Sequence, residues 1–340
     1  MNSKKQRKIA IITMITMAAV IILGLTIGLV VFFKLDMGKF ITNRGSRVYS
    51  PAEIEKIESL ATENGKQIHI DDIKKQLDSG IGINTLVRNM FADQFVYTVG
   101  GRYYFTPINY ELKQNKLVNA NFVAQDNGEI VYKDNGTITS HKGIDASKYQ
   151  GTIDFSKVKN SGVEYAMLRV GYRGYTGGTL NKDTSFDTYA KDAIRNGIDV
   201  GVYFFSQAIT TAEAEEEAEY VLNQISPYNI TYPIVIDIEE ITEDTARQES
   251  LSNEQLTDIV IAFCEKIKSA GYTPMIYANM RYFAGKLQME RLDNYEKWYA
   301  FYADVPYMPY EFSMWQYSDS GSIDGINGKV DLDISFKTWS

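Results

Sequence analysis

From Gly143 onward, strand-forming runs recur, and the gaps between them shrink towards the C-terminal end. They start near Gly143, Glu164, Asp199, Thr231, Thr273, Lys297, Phe312 and Lys329. Helical patterns fill the intervals between the first five. The clearest begins at the capping box Ser252-Asn-Glu-Gln255, buries Leu256, Ile259, Phe263 and Ile267, and closes at Gly271. The later intervals are too short for crossover helices, so hairpin-like links must join those strands. About eight strands, with helices mainly between the early ones, predict an α/β barrel over residues 141–340.

The segment before the barrel has a different texture. Residues 9–33 contain no charge and are long enough to span about 30 Å of hydrocarbon as a helix. Lys4, Lys5, Arg7 and Lys8 precede them, and no signal-peptide cleavage site follows. These features predict a basic tail over 1–8, a transmembrane helix over 9–33 and a stalk over 34–44. The expected location is the cell membrane, with the N-terminus cytoplasmic and the barrel on the outer side. Residues 45–138 read as a small α+β spacer module. It opens with the capping box of Ser50 and Glu53, continues with short helical patterns near 71–77 and 84–91, and carries a hairpin around Gly100-Gly101. No chemical motif marks this module, and its protein partner is unknown.

Composition removes several classes of function. Cys264 is the only cysteine and lies in an apolar helical pattern, so it reads as a buried thiol. The two histidines, His69 and His141, leave little material for a histidine-based triad or metal site. Residues 35–340 carry 30 basic and 43 acidic side chains, a net charge of -13, which argues against a nucleic-acid partner. Glu215, Glu216, Glu217 and Glu219 read as a solvated helix face behind a cap at Thr210.

Four acids fall at strand ends. Asp237 and Glu239 close the apolar run 232–240, and positions two apart on a strand share a face. Asp145 follows the first strand and Asp331 lies in the last, and barrel closure makes those strands neighbours. Glycoside cleavage needs a proton on the leaving oxygen and stabilisation of positive charge at the anomeric carbon. Burial and like-charge repulsion keep one carboxyl protonated near neutral pH. Glu239, with the longer reach, is the candidate donor, and Asp237 is expected to stay ionised beside it. A Ca²⁺ or Mg²⁺ site at Asp237, Glu239, Asp331 and Asp333, or a structural role, stays open on spacing alone. Asp333 and Glu240 are expected to point outward or cap helices.

The ordered motifs add a resemblance. Gly143-Ile-Asp-Ala-Ser-Lys-Tyr-Gln-Gly151, Val163-Glu-Tyr-Ala-Met-Leu-Arg-Val-Gly-Tyr172, Gly201-Val-Tyr-Phe-Phe205, the run ending Asp237-Ile-Glu239, Trp315-Gln-Tyr317 and Val330-Asp331 resemble, in order, the glycoside hydrolase family 25 lysozymes. Phe204 stands where that family commonly has histidine. The resemblance covers 141–337 and implies a flattened, irregular β/α barrel. It also implies hydrolysis of the β-1,4 bond from N-acetylmuramic acid to N-acetylglucosamine in peptidoglycan, with no cofactor and no metal. The match to Glu239 is then the general acid. Asp237 assists, as by orienting the substrate's own 2-acetamido group, and Asp145 and Asp331 line the cleft. Tyr203, Gln316, Tyr277, Trp298 and Tyr317 become candidate sugar contacts. A catalytically inactive glycan-binding scaffold and a chitinase-like hydrolase are the alternatives. Against the latter, Ile234 and Val235 stand where upstream acids are usual.

Overall fold

The computed structural model describes residues 50–241 and 246–339. The chain divides into two compact units, residues 1–81 and 82–340. In the first, Pro51–Asp78 forms one helix, α1. Ser50 and Glu53 close the expected capping box, with proline at the start of the helix. The helix runs through Gly65 without a break, so the separate pattern near 71–77 is its last turns. Residues 9–33 lie outside the described residues. Among those described, no helix is long and apolar enough to cross a membrane. That finding corrects the expected location: an anchored protein with its barrel on the outer side has no support here.

The reading of 45–138 as one module also changes, because residues 82–138 belong to the barrel's unit. Helix α2 (Ile83–Met90) leads into strands β1 (Gln94–Val99) and β2 (Arg102–Pro107). Their turn, Gly100-Gly101, has φ of 55° and 75°, which only glycine adopts without strain. The Tyr307 hydroxyl accepts from Val96 N–H and donates to the Gln94 carbonyl, both at 3.0 Å. The Arg88 guanidinium lies 4.2 Å from the Tyr307 ring centre and 5.3 Å from that of Phe301. A second antiparallel sheet, β3 (Phe122–Ala124), β4 (Ile130–Asp134) and β5 (Thr137–Ile138), follows. Phe122 packs edge-on to Trp315 with ring centres 5.3 Å apart.

The barrel begins with β6 (His141–Ala146), α3 (Phe155–Asn160), β7 (Tyr165–Arg173), β8 (Leu180–Lys182) and α4 (Phe186–Arg195). It continues with β9 (Asp199–Phe205), α5 (Thr211–Ile225), β10 (Ile234–Asp237), α6 (Asn253–Ser269) and β11 (Pro274–Asn279). Short helices α7 (Met280–Gly285) and α8 (Met289–Leu292) precede β12 (Glu296–Ala300), and β13 (Met314–Gly321) and β14 (Val330–Ser335) follow without helices. Strands β6, β7, β9, β10, β11, β12 and β13 pair parallel in that order. β14 enters antiparallel between β13 and β6 and closes an eight-stranded ring, with β8 on the flank of β7.

Strand alternation sorts the side chains into two cores. Ile234 and Ile236 point out beneath the helices, where the face of α6 made by Leu256, Ile259, Val260, Phe263 and Ile267 is buried. Burying each such side chain contributes roughly 1.5–3 kcal/mol. The Cys264 thiol sits there too, and burial raises its pKa, as the sequence reading expected of a structural thiol. Tyr165, Met167, Val235, Met275, Trp298 and Met314 fill the interior. Gly143 and Gly201 make room for them. A Cβ at Gly143 falls 2.1 Å from the Tyr165 ring, and one at Gly201 falls 2.5 Å from the Met167 sulfur. The interior is plugged below, so the open space lies at the end where β10 stops.

Candidate active site

A cavity of about 410 Å³ opens at that end of the barrel. Asp145, Asp237, Glu239 and Asp331 all line it. Asp145 and Asp331 are direct cross-strand partners in the antiparallel seam between β6 and β14. Asp237 is the last residue of β10, in register with Phe205 on one side and Tyr277 on the other. Glu239 lies two residues beyond the strand, half-buried and open to the cavity. The topology therefore gathers four acids that the chain spreads over nearly two hundred residues.

Burial raises the pKa of all four carboxyls. Asp145 is held well above the carboxylate range by burial, then by the charges of Asp331 and Asp333, and a hydrogen bond from Gln316 opposes this. Asp237 is also held well above it, by burial and by the charge of its neighbour Glu239. Glu239 is raised by burial and by Asp331, while a hydrogen bond from Asp237 and the charge of Arg169 act the other way. Burial thus opposes ionisation of both members of the Asp237–Glu239 pair, including Asp237, which the sequence reading expected to stay ionised. A carboxyl that retains a proton beside an acceptor oxygen is the equipment of general acid catalysis.

Gln316 ties Asp145 to the wall. Its side-chain N–H donates to Asp145 Oδ2 at 2.7 Å. Its Oε1 accepts from the hydroxyls of Tyr277 at 2.8 Å and Tyr302 at 3.0 Å. Tyr203, Tyr277 and Trp298 line the cavity. Trp298 is also largely core, and its indole N–H donates to Asp333 at 2.8 Å. Tyr317 does not reach the cavity. Gln316 points inward, so its neighbour points outward, and Tyr317 packs against Trp315 in the outer core.

Several residues were not anticipated. Asp333 is fully buried inside the barrel rather than turned outward, because it shares a face with Asp331. Glu240, by contrast, is exposed as expected, and it pairs with Arg281. Arg169 is the one cation among the described residues lining the cavity. Buried Asp183 orients it, accepting from Nε at 2.8 Å. An arginine in the middle of a largely apolar strand was a readable signal. Tyr149, Tyr172, Tyr175 and Tyr302 complete the rim from loops or strand ends. The acidic run on α5 is not simply a solvated face. Glu217 is fully buried and accepts from Arg173 Nε at 2.7 Å, and burial pushes its pKa up to about 7.

No group of histidine, cysteine or acidic side chains among the described residues has the arrangement of a metal site.

Comparison with known proteins agrees with this geometry. A sequence model of glycosyl hydrolases family 25 matches residues 144–326. The autolytic lysozyme of Clostridium acetobutylicum is 30% identical over 193 residues, covering 56% of this chain and 55% of that protein. The chain thus spans about half of that lysozyme's length. Lysozyme M1 of Streptomyces globisporus is 28% identical over 201 residues, covering 56% of this chain and 66% of its own. The modular autolysin LytC of Streptococcus pneumoniae superposes with a TM-score of 0.54 at 26% identity, over 70% of this chain and 57% of that one. The same autolysin is known in complex with a synthetic peptidoglycan ligand.

Proposed function

The chain belongs to glycosyl hydrolases family 25, and from that premise we propose that it is an N-acetylmuramidase of peptidoglycan. The reading is that it hydrolyses the β-1,4 bond from N-acetylmuramic acid to N-acetylglucosamine. One observation carries it: four carboxyls, each with its pKa raised by burial, line one cavity open to solvent.

Glu239 protonates the leaving glycosidic oxygen. It is the less enclosed of the Asp237–Glu239 pair, and burial raises its pKa, which favours the protonated form a donor needs. Asp237 sits deeper, and one of its oxygens has no protein partner among the described residues. That oxygen is the acceptor for the N–H of the substrate's 2-acetamido group, which it orients towards the anomeric carbon. Asp145 and Asp331 line the cleft beside the sugar under attack. Gln316 holds Asp145, and Tyr203 and Tyr277 shape the sugar pocket.

The test is product analysis on purified peptidoglycan. Hydrolysis should yield reducing muramic acid ends, seen by mass spectrometry. Glu239→Gln should lower kcat by about 10²–10⁴-fold, the usual share of a general acid, while glycan binding persists. Reducing glucosamine ends would point to chitinase-like chemistry. Glycan binding with no cleavage by the unaltered protein would point to an inactive scaffold.

A further inference from the structure

A second cavity, of about 490 Å³, adjoins the first. The two share three residues of their walls: Glu239, Tyr277 and Tyr302. The far wall of the second is the tip of the β1–β2 hairpin, Thr98, Val99 and Gly100. The other acids of the cluster, Asp145, Asp237 and Asp331, do not border it. The continuous groove therefore has the proton donor at its midpoint, with the remaining acids on one side and the hairpin on the other.

We propose that the hairpin builds binding subsites for the leaving-group side of a glycan chain. The inference rests on the muramidase reading. The acids that act on the anomeric carbon mark where the sugar under attack must sit. The donor reaches the oxygen that departs, so the sugars beyond that oxygen extend past Glu239 into the second cavity. Each cavity falls within the range of about 300–1,000 Å³ typical of small-ligand sites. The chemistry of the second suits a sugar chain. Tyr302 is 53% exposed and offers a ring face on the ridge between the two cavities. Asn279 uses its side-chain oxygen to cap α7 through Tyr282 N–H, and its amide hydrogens have no protein partner among the described residues. Arg281, paired with Glu240, supplies a cation for the carboxylate or lactyl group of a further muramoyl unit.

The hairpin is held in place for this purpose. Tyr307 clamps β1 by two hydrogen bonds, and Arg88 stacks on Tyr307 and Phe301. Tyr97 presses against α7 so closely that a Cβ at Gly285 falls 2.1 Å from its hydroxyl. All of β1 and β2 precedes the residues matched by the family, 144–326. The hairpin thus lies outside the part of the chain that the family's sequence model matches.

The experiment uses the full chain and peptide-free glycan oligomers with a common non-reducing part. One set has a single sugar beyond the scissile bond and the other has three. The unaltered enzyme should favour the longer set by about ten-fold in kcat/KM, equivalent to about 1.4 kcal/mol. Thr98→Trp, which fills the cavity from an exposed position, should bring that ratio to within about two-fold. Arg281→Ala should lower it by a smaller factor and serves as a second variant. A ratio near one in the unaltered enzyme, or a ratio untouched by both substitutions, overturns the proposal. A parallel titration measures Kd for the same oligomers in the Glu239→Gln protein with and without Thr98→Trp. If nothing is cleaved, the muramidase reading fails, and the length dependence of Kd still decides whether the hairpin binds glycan.

Discussion

Replacing Gly143 by alanine tests how tightly the barrel interior is filled. The added Cβ falls 2.1, 2.4 and 2.5 Å from three carbons of the Tyr165 ring. Carbon atoms settle about 3.5–4.0 Å apart, so the ring must retreat by roughly 1 Å or more. It has little room to do so. Tyr165 is fully buried, and its ring stacks on Tyr232 at 4.5 Å with the planes 14° apart. Overpacking of this kind costs about 1–3 kcal/mol, and the rigid stack puts it at the upper end. Glycine itself disfavours a strand by about 0.5–1 kcal/mol, which alanine recovers. The net expectation is a loss of roughly 2 kcal/mol. Urea unfolding followed by tryptophan fluorescence reads it as a lower midpoint at constant slope. The decisive comparison repeats the substitution in a Tyr165→Leu background, where the clashing ring carbons are gone. There the cost should fall to about 0.5 kcal/mol or less. Equal costs in the two backgrounds would refute the packing argument. Because Asp145 lies two residues along β6, hydrolysis by Gly143→Ala should also fall.

Other outcomes follow from the same geometry. Hydrolysis should decline as pH rises through the raised pKa of the Asp237–Glu239 pair, because the donor must keep its proton; a pH profile of kcat/KM checks this, and a rate that climbs steadily to alkaline pH contradicts it. Stability should also fall with rising pH. Asp145, Asp237, Asp333 and Glu217 have folded pKa values raised above their unfolded ones, so their contribution is complete at acid pH and disappears as pH passes the folded values, about 7 for Glu217. Calorimetry at pH 5 and pH 8 should give the higher Tm at pH 5. Arg173→Ala leaves buried Glu217 without its cation and should cost about 3–5 kcal/mol in urea unfolding; a cost under about 1 kcal/mol would contradict the burial assigned to the pair. Tyr203→Phe should raise KM for glycan, whereas Tyr317→Phe, on the outer face, should leave KM alone.

The eight barrel strands were readable because each is a local pattern, an apolar run closed by turn residues. The gathering of Asp145, Asp237, Glu239 and Asp331 was readable too, once closure was assumed, since each acid sits at a strand end. Orientation within a strand was harder. Trp315-Gln316-Tyr317 holds three plausible sugar ligands, and only alternation in the folded ring shows that Gln316 alone faces inward. The same rule, applied evenly, would have put Asp333 inside with Asp331. Glu217 was misread because its partner Arg173 lies 44 residues away on another element. The contribution of the hairpin had no local signal at all. Nothing in Thr98-Val-Gly100 hints at sugar chemistry, and its relevance comes only from where Tyr307 and Arg88 fasten it.

The seam between β6 and β14 has a consequence in time. Asp145 is made early in synthesis and Asp331 late, and they meet only when β14 slots between β13 and β6. Such distant pairings form slowly, after more local contacts. Asp237 and Glu239 are neighbours along the chain from the start, but Asp145 and Asp331 face each other only once this seam has closed. On the muramidase reading, the complete set of four acids is therefore a late product of folding.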